Sequence, residues 1–168
     1  YWFEWGVGLA GDEFVWRRMP NDERDWSADL TQAGFNLPPA LLKVLPDGFI
    51  LELSPQAADW WCQAASILRR GRLLTIDYGF TVLEFLSPER SRGTLRAYYQ
   101  HRAVDNILAQ PGKQDITAHV NFSQLQSIGE ATGLKTEALS TQAHFLTTIT
   151  KSLWDGASGD LAPTPQQI

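Results

Sequence analysis

The sequence predicts an α/β fold with parallel neighbouring strands and a β-hairpin added at its front. Three observations carry this. Short apolar runs alternate with helical stretches between residues 49 and 155, the pattern of a sheet whose strands are joined by helices. The run at 72–77, Arg-Leu-Leu-Thr-Ile-Asp, is short and mostly apolar, as in a strand covered on both faces. Residues 1–9 and 13–18 are β-type aromatic runs on either side of Gly11-Asp12, which predicts a hairpin.

The elements follow in order. Residues 20–36 are polar and turn-rich and are expected to be a loop. A short helix is expected at 37–45, ended by Pro46-Asp47-Gly48, then a strand at 49–53. Ser54 and Pro55 suit the N-cap and first position of a long helix. Ala57, Trp61, Ala64, Ala65 and Leu68 recur at helical spacing along it, and Gly71 is its expected stop. The run 72–77 is expected to be a central strand, followed by a long excursion over 80–119 that wraps the strand ends. A second helix is expected over 122–133, with Asn121 as cap, Gln124 completing a capping box and Val120 with Leu125 as a hydrophobic staple. A strand at 135–141 and a helix at 143–155 close the pattern. Both ends look cut: Tyr1 opens directly on a strand-like run, and Thr164-Pro165-Gln166-Gln167 starts a helix that the chain does not continue.

Composition narrows the function. The 168 residues hold 14 Lys and Arg against 19 Asp and Glu, a net charge of −5, so no nucleic-acid partner is expected. No apolar run approaches a membrane span, so no membrane partner is expected. Cys62 is the single cysteine; it excludes an intrachain disulfide, fits a reducing compartment such as the cytoplasm, and is expected to be inert packing. No nucleotide-binding motif is expected, and the GxSxG spacing of a serine hydrolase is absent.

In open α/β sheets ligands sit at the carboxyl ends of strands, which directs attention to Asp77-Tyr78-Gly79. Asp77 either orients a substrate or caps its local turn. Arg96, Tyr98, Tyr99 and His101 either line a pocket or pin the long excursion to the sheet. Asp115 and His119 precede a capped helix; their spacing matches no strong metal pattern. Glu4 and Glu52 lie in apolar runs, where a carboxylate is costly unless paired or used. Trp2, Trp5 and Trp16 share one hairpin and are candidates for a contact surface.

The words Gly71-Arg-Leu-Leu-Thr-Ile-Asp-Tyr-Gly79, Arg92-Gly-Thr-Leu-Arg-Ala-Tyr98, Asp115-Ile-Thr-Ala-His-Val120 and Thr141-Gln142 with Phe145-Leu146 resemble the MidA-like family of S-adenosylmethionine-dependent methyltransferases. That family includes relatives of the mitochondrial complex I assembly arginine methyltransferase. The resemblance is specific over 71–146 and looser over 1–70. It implies the later part of a class I, Rossmann-like methyltransferase sheet with an inserted hairpin, truncated at both ends. Residues 1–53 would be the hairpin and a connecting insertion, 54–155 the C-terminal part of the core, and 156–168 a tail. The main S-adenosylmethionine site would lie upstream, leaving this chain inactive alone. The implied activity is methylation of arginine in a protein partner, in the cytoplasm or in the mitochondrial matrix of a eukaryote. Asp77, Asp115 and Glu4 are the carboxylates offered for a guanidinium; Tyr78, Arg96, Tyr98, His101 and His119 would flank the substrate. Unpaired sheet edges would favour a homo-oligomer. The competing reading is a non-enzymatic α/β interaction domain.

Overall fold

The computed structural model describes residues 3–20, 25–36 and 38–157. The hairpin forms as expected. β1 (Trp5–Ala10) pairs antiparallel with β2 (Glu13–Arg18) around Gly11, whose φ of 63° suits a tight turn.

The segment expected to be a loop at 20–36 instead contains α1 (Ser27–Gln32). The reason is a helical spacing set within a polar stretch. Trp26, Leu30 and Ala33 fall at i, i+4 and i+7 and share one helical face. Leu30, Ala33 and Phe35 are buried with Phe85 in the main core, flanked by Trp26, Leu51, Leu53, Phe80, Val82 and Leu86. The rings of Phe35 and Phe80 meet Phe85 edge-on, at 6.0 and 5.7 Å, the favourable aromatic geometry.

α2 (Pro39–Leu42) is a single turn. The strand expected at 49–53 is absent: only an isolated bridge between Ile50 and Arg92 forms. α3 (Pro55–Ile67) buries Ala58, Trp61 and Ala65 and ends at Leu68, three residues before Gly71. Cys62 is exposed on it, which corrects the expectation of packing.

The central strand expected at 72–77 is also absent. No strand among the described residues runs beside this segment in a sheet, and its Leu74 and Ile76 are exposed. A strand exists only through hydrogen bonds to a neighbour, so an apolar run without one stays irregular. The expected α/β sheet with 72–77 at its centre is therefore not present among the described residues. Three small sheets stand in its place. The strand expected at 135–141 is missing as well.

The excursion is more ordered than expected. β3 (Gly79–Phe80) leads into α4 (Val82–Phe85) and a 3-10 turn at Pro88–Arg90. β4 (Arg96–Tyr99) is the centre of an antiparallel sheet between β5 (Arg102–Val104) and β6 (Asp115–Thr117). β7 (Val120–Asn121) pairs parallel with β3, the one parallel pair of named strands among the described residues.

α5 (Phe122–Ala131) follows at once. Asn121 caps it: its Oδ1 accepts from Gln124 N at 3.2 Å, while its Nδ2 donates to Ala33 O at 2.8 Å. Gln124 does not complete the capping box. Its side chain is buried and donates to Gln32 O at 2.9 Å, tying α5 to the end of α1. Gly34 sits at that crossing, where a Cβ would come within 3.1 Å of Gln124. α3 packs on α5 at Gly129, against which Trp61 lies.

Contacts group the chain as Tyr1–Leu134 and Lys135–Ile168. The second unit holds α6 (Gln142–Ala157), close to the helix expected at 143–155. The helix start expected at 164–167 lies outside the described residues.

Candidate functional site

The junction of β3, β6 and β7 brings several of the expected residues together. Pairing of Gly79 with Val120 fixes it, since Val120 N donates to Tyr78 O at 2.9 Å. The strands can approach this closely because Gly79 has no side chain: a Cβ there would collide with Val120 O and the Phe122 ring. Asp77 and Tyr78 thus lie beside His119. The Asp77 carboxylate accepts from Tyr78 N at 2.7 Å, and Tyr78 is 81% exposed. Asp77 therefore does hold its local turn, with its second oxygen left for other donors.

A carboxylate from a distant segment supports His119 from behind. Glu52 accepts from Thr94 N at 2.7 Å, Thr94 Oγ1 at 3.2 Å and Leu95 N at 3.3 Å. Thr94 is buried, and its hydroxyl also accepts from His119 N at 3.2 Å. The cost of a carboxylate in an apolar run is thus offset by three donors. Gly93, with φ of 74°, makes room, because a Cβ would strike the Glu52 carboxylate. The His119 ring stacks on Phe80 at 4.5 Å, and the Arg90 guanidinium lies 3.9 Å from the same ring. Thr94, Phe80 and Arg90 were not singled out from the sequence. The signal was Glu52 itself, a buried-type carboxylate in need of donors.

The antiparallel sheet presents a second group. Tyr98 faces Asp115 across β4 and β6, and Arg96 faces Thr117. Side chains alternate along a strand, so Arg96, Tyr98, Asp115 and Thr117 share one face. Ala97, on the other face, is buried. Arg96 does not occupy Asp115: its guanidinium donates to Leu95 O at 2.7 Å and Gly93 O at 3.4 Å. His101 lies at the tip of the β4–β5 turn, exposed, with Gln100 and His101 both at positive φ. Glu4 lies apart from all of these, just ahead of β1 at the open end of the hairpin, where its carbonyl accepts from Met19 N at 2.8 Å.

One GxGxxG spacing does exist, contrary to the expectation of no such motif: Gly6-Val-Gly8-Leu-Ala-Gly11. It builds β1 and its turn and leads into β2. A nucleotide fingerprint needs a helix N-terminus after its glycines, and here there is none. Among the described residues no three His, Cys, Asp or Glu are grouped to hold a metal ion, and no helix is long and apolar enough to cross a membrane.

Comparison with known proteins assigns the chain to a family. The family described as "Putative S-adenosyl-L-methionine-dependent methyltransferase" matches residues 1–140. A crystal structure from Burkholderia thailandensis, described as a "likely methyl transferase" and bound to S-adenosyl-homocysteine, is 31% identical. The match covers 92% of this chain and 38% of that one, with a TM-score of 0.75. A native structure of an uncharacterized protein from the same organism is 30% identical over 99% of this chain and 41% of that one, with a TM-score of 0.74. The chain thus spans about two fifths of the length of these structures. No curated protein matches it.

Proposed function

The chain belongs to that family of S-adenosyl-L-methionine-dependent methyltransferases, and on this premise we propose that it forms the substrate-facing part of a methyltransferase acting on arginine in a protein partner. The observation that carries the reading is the shared face of Tyr98 and Asp115, an exposed ring directly opposite a carboxylate. A guanidinium spreads its charge and is a poor nucleophile. A carboxylate that takes two of its N–H groups orients it and localises that charge, and a ring face stabilises the cation. Asp77 and Tyr78 offer the same pairing at the strand junction. His119, held by Thr94, lies beside them. When bound, S-adenosylmethionine supplies the methyl group. The relation to the MidA-like arginine methyltransferases rests on the sequence words at 71–146.

The cofactor pocket, in this reading, is completed by chain beyond these 168 residues. Three findings support it. The chain spans two fifths of its structural relatives, its glycine motif is spent on a hairpin, and Leu74 and Ile76 in a strand-like run lack sheet neighbours. The setting is the cytoplasm, or the mitochondrial matrix in a eukaryote, without nucleic acid or membrane as partner.

The test is twofold. Calorimetry should show weak or no binding of S-adenosylmethionine by the 168-residue chain. In the full-length protein, radiolabel transfer to an arginine-containing protein should fall in Asp77→Asn and Asp115→Asn more than cofactor affinity does. Tight binding by the short chain, or unchanged transfer in both variants, places the site elsewhere.

A further inference from the structure

We infer that Thr94, held by Glu52, is a positioning residue for methyl transfer: its hydroxyl fixes a two-residue joint that sets the two candidate subsites relative to each other. The inference rests on the reading that the Tyr98–Asp115 and Asp77–Tyr78 pairs face the substrate. These pairs belong to different sheets. Tyr98 and Asp115 face each other across β4 and β6, whereas Asp77 and Tyr78 lead into β3, which pairs with β7. Only Ala118 and His119 separate the end of β6 from the start of β7. The conformation of those two residues therefore sets how one pair stands to the other.

Thr94 holds this joint from the β4 side. The β4–β6 register sets Arg96 opposite Thr117, and carried two places further it sets Thr94 opposite His119. The named strands stop short of that pair, and a side chain takes over: the Thr94 hydroxyl accepts from His119 N at 3.2 Å. The same hydroxyl donates its one hydrogen to Glu52 at 3.2 Å, which leaves its lone pairs for the His119 N–H. Glu52 fixes the backbone of Thr94 as well. Ile50 bridges Arg92 in parallel. Two residues further along each segment, the Glu52 carboxylate accepts from Thr94 N at 2.7 Å and from Leu95 N at 3.3 Å. Thr94 is 2% exposed, so water does not stand in for a lost partner there. The His119 ring stacks on Phe80 of β3. His119 is thus tied to one sheet by its N–H and to the other by its ring. In-line methyl transfer requires the acceptor nitrogen and the methyl carbon to align, and a misplacement of about 1 Å from a change far from the chemistry costs on the order of 100-fold in rate.

Steady-state kinetics of the full-length protein, with radiolabelled S-adenosylmethionine and protamine as an arginine-rich acceptor, test this. Thr94→Val keeps the branched shape and the N–H that Glu52 accepts, and removes the hydroxyl. It should lower kcat by roughly tenfold or more while KM for protamine stays within about twofold of the parent. Thr94→Ser restores the hydroxyl and should return kcat to within about threefold of the parent. Rates are taken per cofactor-binding site, counted by calorimetric titration with S-adenosylhomocysteine, so that loss of folded protein is not read as loss of rate. A Thr94→Val protein with the parent's kcat overturns the inference. So does a Thr94→Ser protein as slow as Thr94→Val, or a loss that lies wholly in the number of binding sites. A parent that transfers no methyl group to protamine contradicts the arginine reading itself, and the inference falls with it; an active parent beside an unimpaired Thr94→Val overturns the inference alone.

Discussion

Replacing Glu52 should loosen the candidate site from behind, and its size follows from the bonds it makes. The carboxylate accepts from Thr94 N, Thr94 Oγ1 and Leu95 N, at 2.7, 3.2 and 3.3 Å. Glu52→Ala leaves Thr94 N without this acceptor in a buried position, and Leu95 N beside it. An unsatisfied buried donor costs about 1–3 kcal/mol. The partly buried Leu95 belongs at the lower end, so the pair amounts to about 3 kcal/mol. In a chain of this size that lowers Tm by roughly 6–12 °C. Glu52→Gln keeps one oxygen for Thr94 N and loses the charge, so about 1 kcal/mol is expected. Because Thr94 Oγ1 in turn accepts from His119 N, the loss should travel. Hydrogen exchange at the Thr94, Leu95 and His119 amides should accelerate together in Glu52→Ala. Urea melts of both variants, with exchange rates at these amides, make the assay. A Glu52→Ala protein within about 0.5 kcal/mol of the parent, a surface-like effect, with the His119 amide unchanged, would refute the reasoning.

Other expectations are as concrete. Gly79→Ala should destabilise by about 1–3 kcal/mol, as overpacking does, since its Cβ meets Val120 O and the Phe122 ring; thermal melts check it. His101→Gly should stabilise by about 1 kcal/mol by relieving a left-handed conformation; if His101 also flanks substrate, methyl transfer falls while stability rises. Asn121→Ala should cost about 2 kcal/mol, because the helix cap and the bond to Ala33 O are lost together. Glu84 is held below its ordinary pKa of 4.5, first by the backbone N–H of Thr81, then by the Thr81 hydroxyl and the charge of Arg90, against slight desolvation. A depressed carboxylate contributes stability above its unfolded pKa and loses it as pH falls through the folded value. The start of α4 should therefore loosen only below about pH 4.5, and Glu84→Gln should remove that dependence in an NMR titration.

What the sequence disclosed depended on whether the signal was local. The hairpin, α3, α5 and α6 each carry a period, cap or turn residue within a few positions, and all four appear close to where expected. Asn121 as a cap belongs with them. Its partner Gln124 does not, because a contact to Gln32, distant in sequence, outcompetes the local capping box. The runs at 49–53, 72–77 and 135–141 have strand-like composition, yet a strand needs a neighbour, and among the described residues the only sheet contact of the three is the single bridge between Ile50 and Arg92. α1 is masked in the sequence because its three apolar residues at helical spacing are outnumbered by polar ones. Of the candidate site, Asp77 and Tyr78 are picked out by the rule about strand ends, although 72–77 is not itself a strand, and His119 by its place ahead of the capped helix, while Tyr98 and Asp115 stand in the sequence only as separate words. Their pairing across β4 and β6 is a matter of register, which no spacing along the chain encodes. The reach of Glu52 to Thr94 spans 42 positions and was equally hidden.

The most direct test of the substrate-facing assignment is Asp115→Asn in the full-length protein, with methyl transfer and cofactor affinity measured on the same preparation. Asp115→Asn keeps the size of the side chain and removes the charge that would pair with a guanidinium opposite Tyr98. The account predicts cofactor affinity within about twofold of the parent and transfer to arginine reduced by roughly tenfold or more, the loss of one charge-assisted pair. Transfer that stays at the parent level while the cofactor binds normally would contradict it.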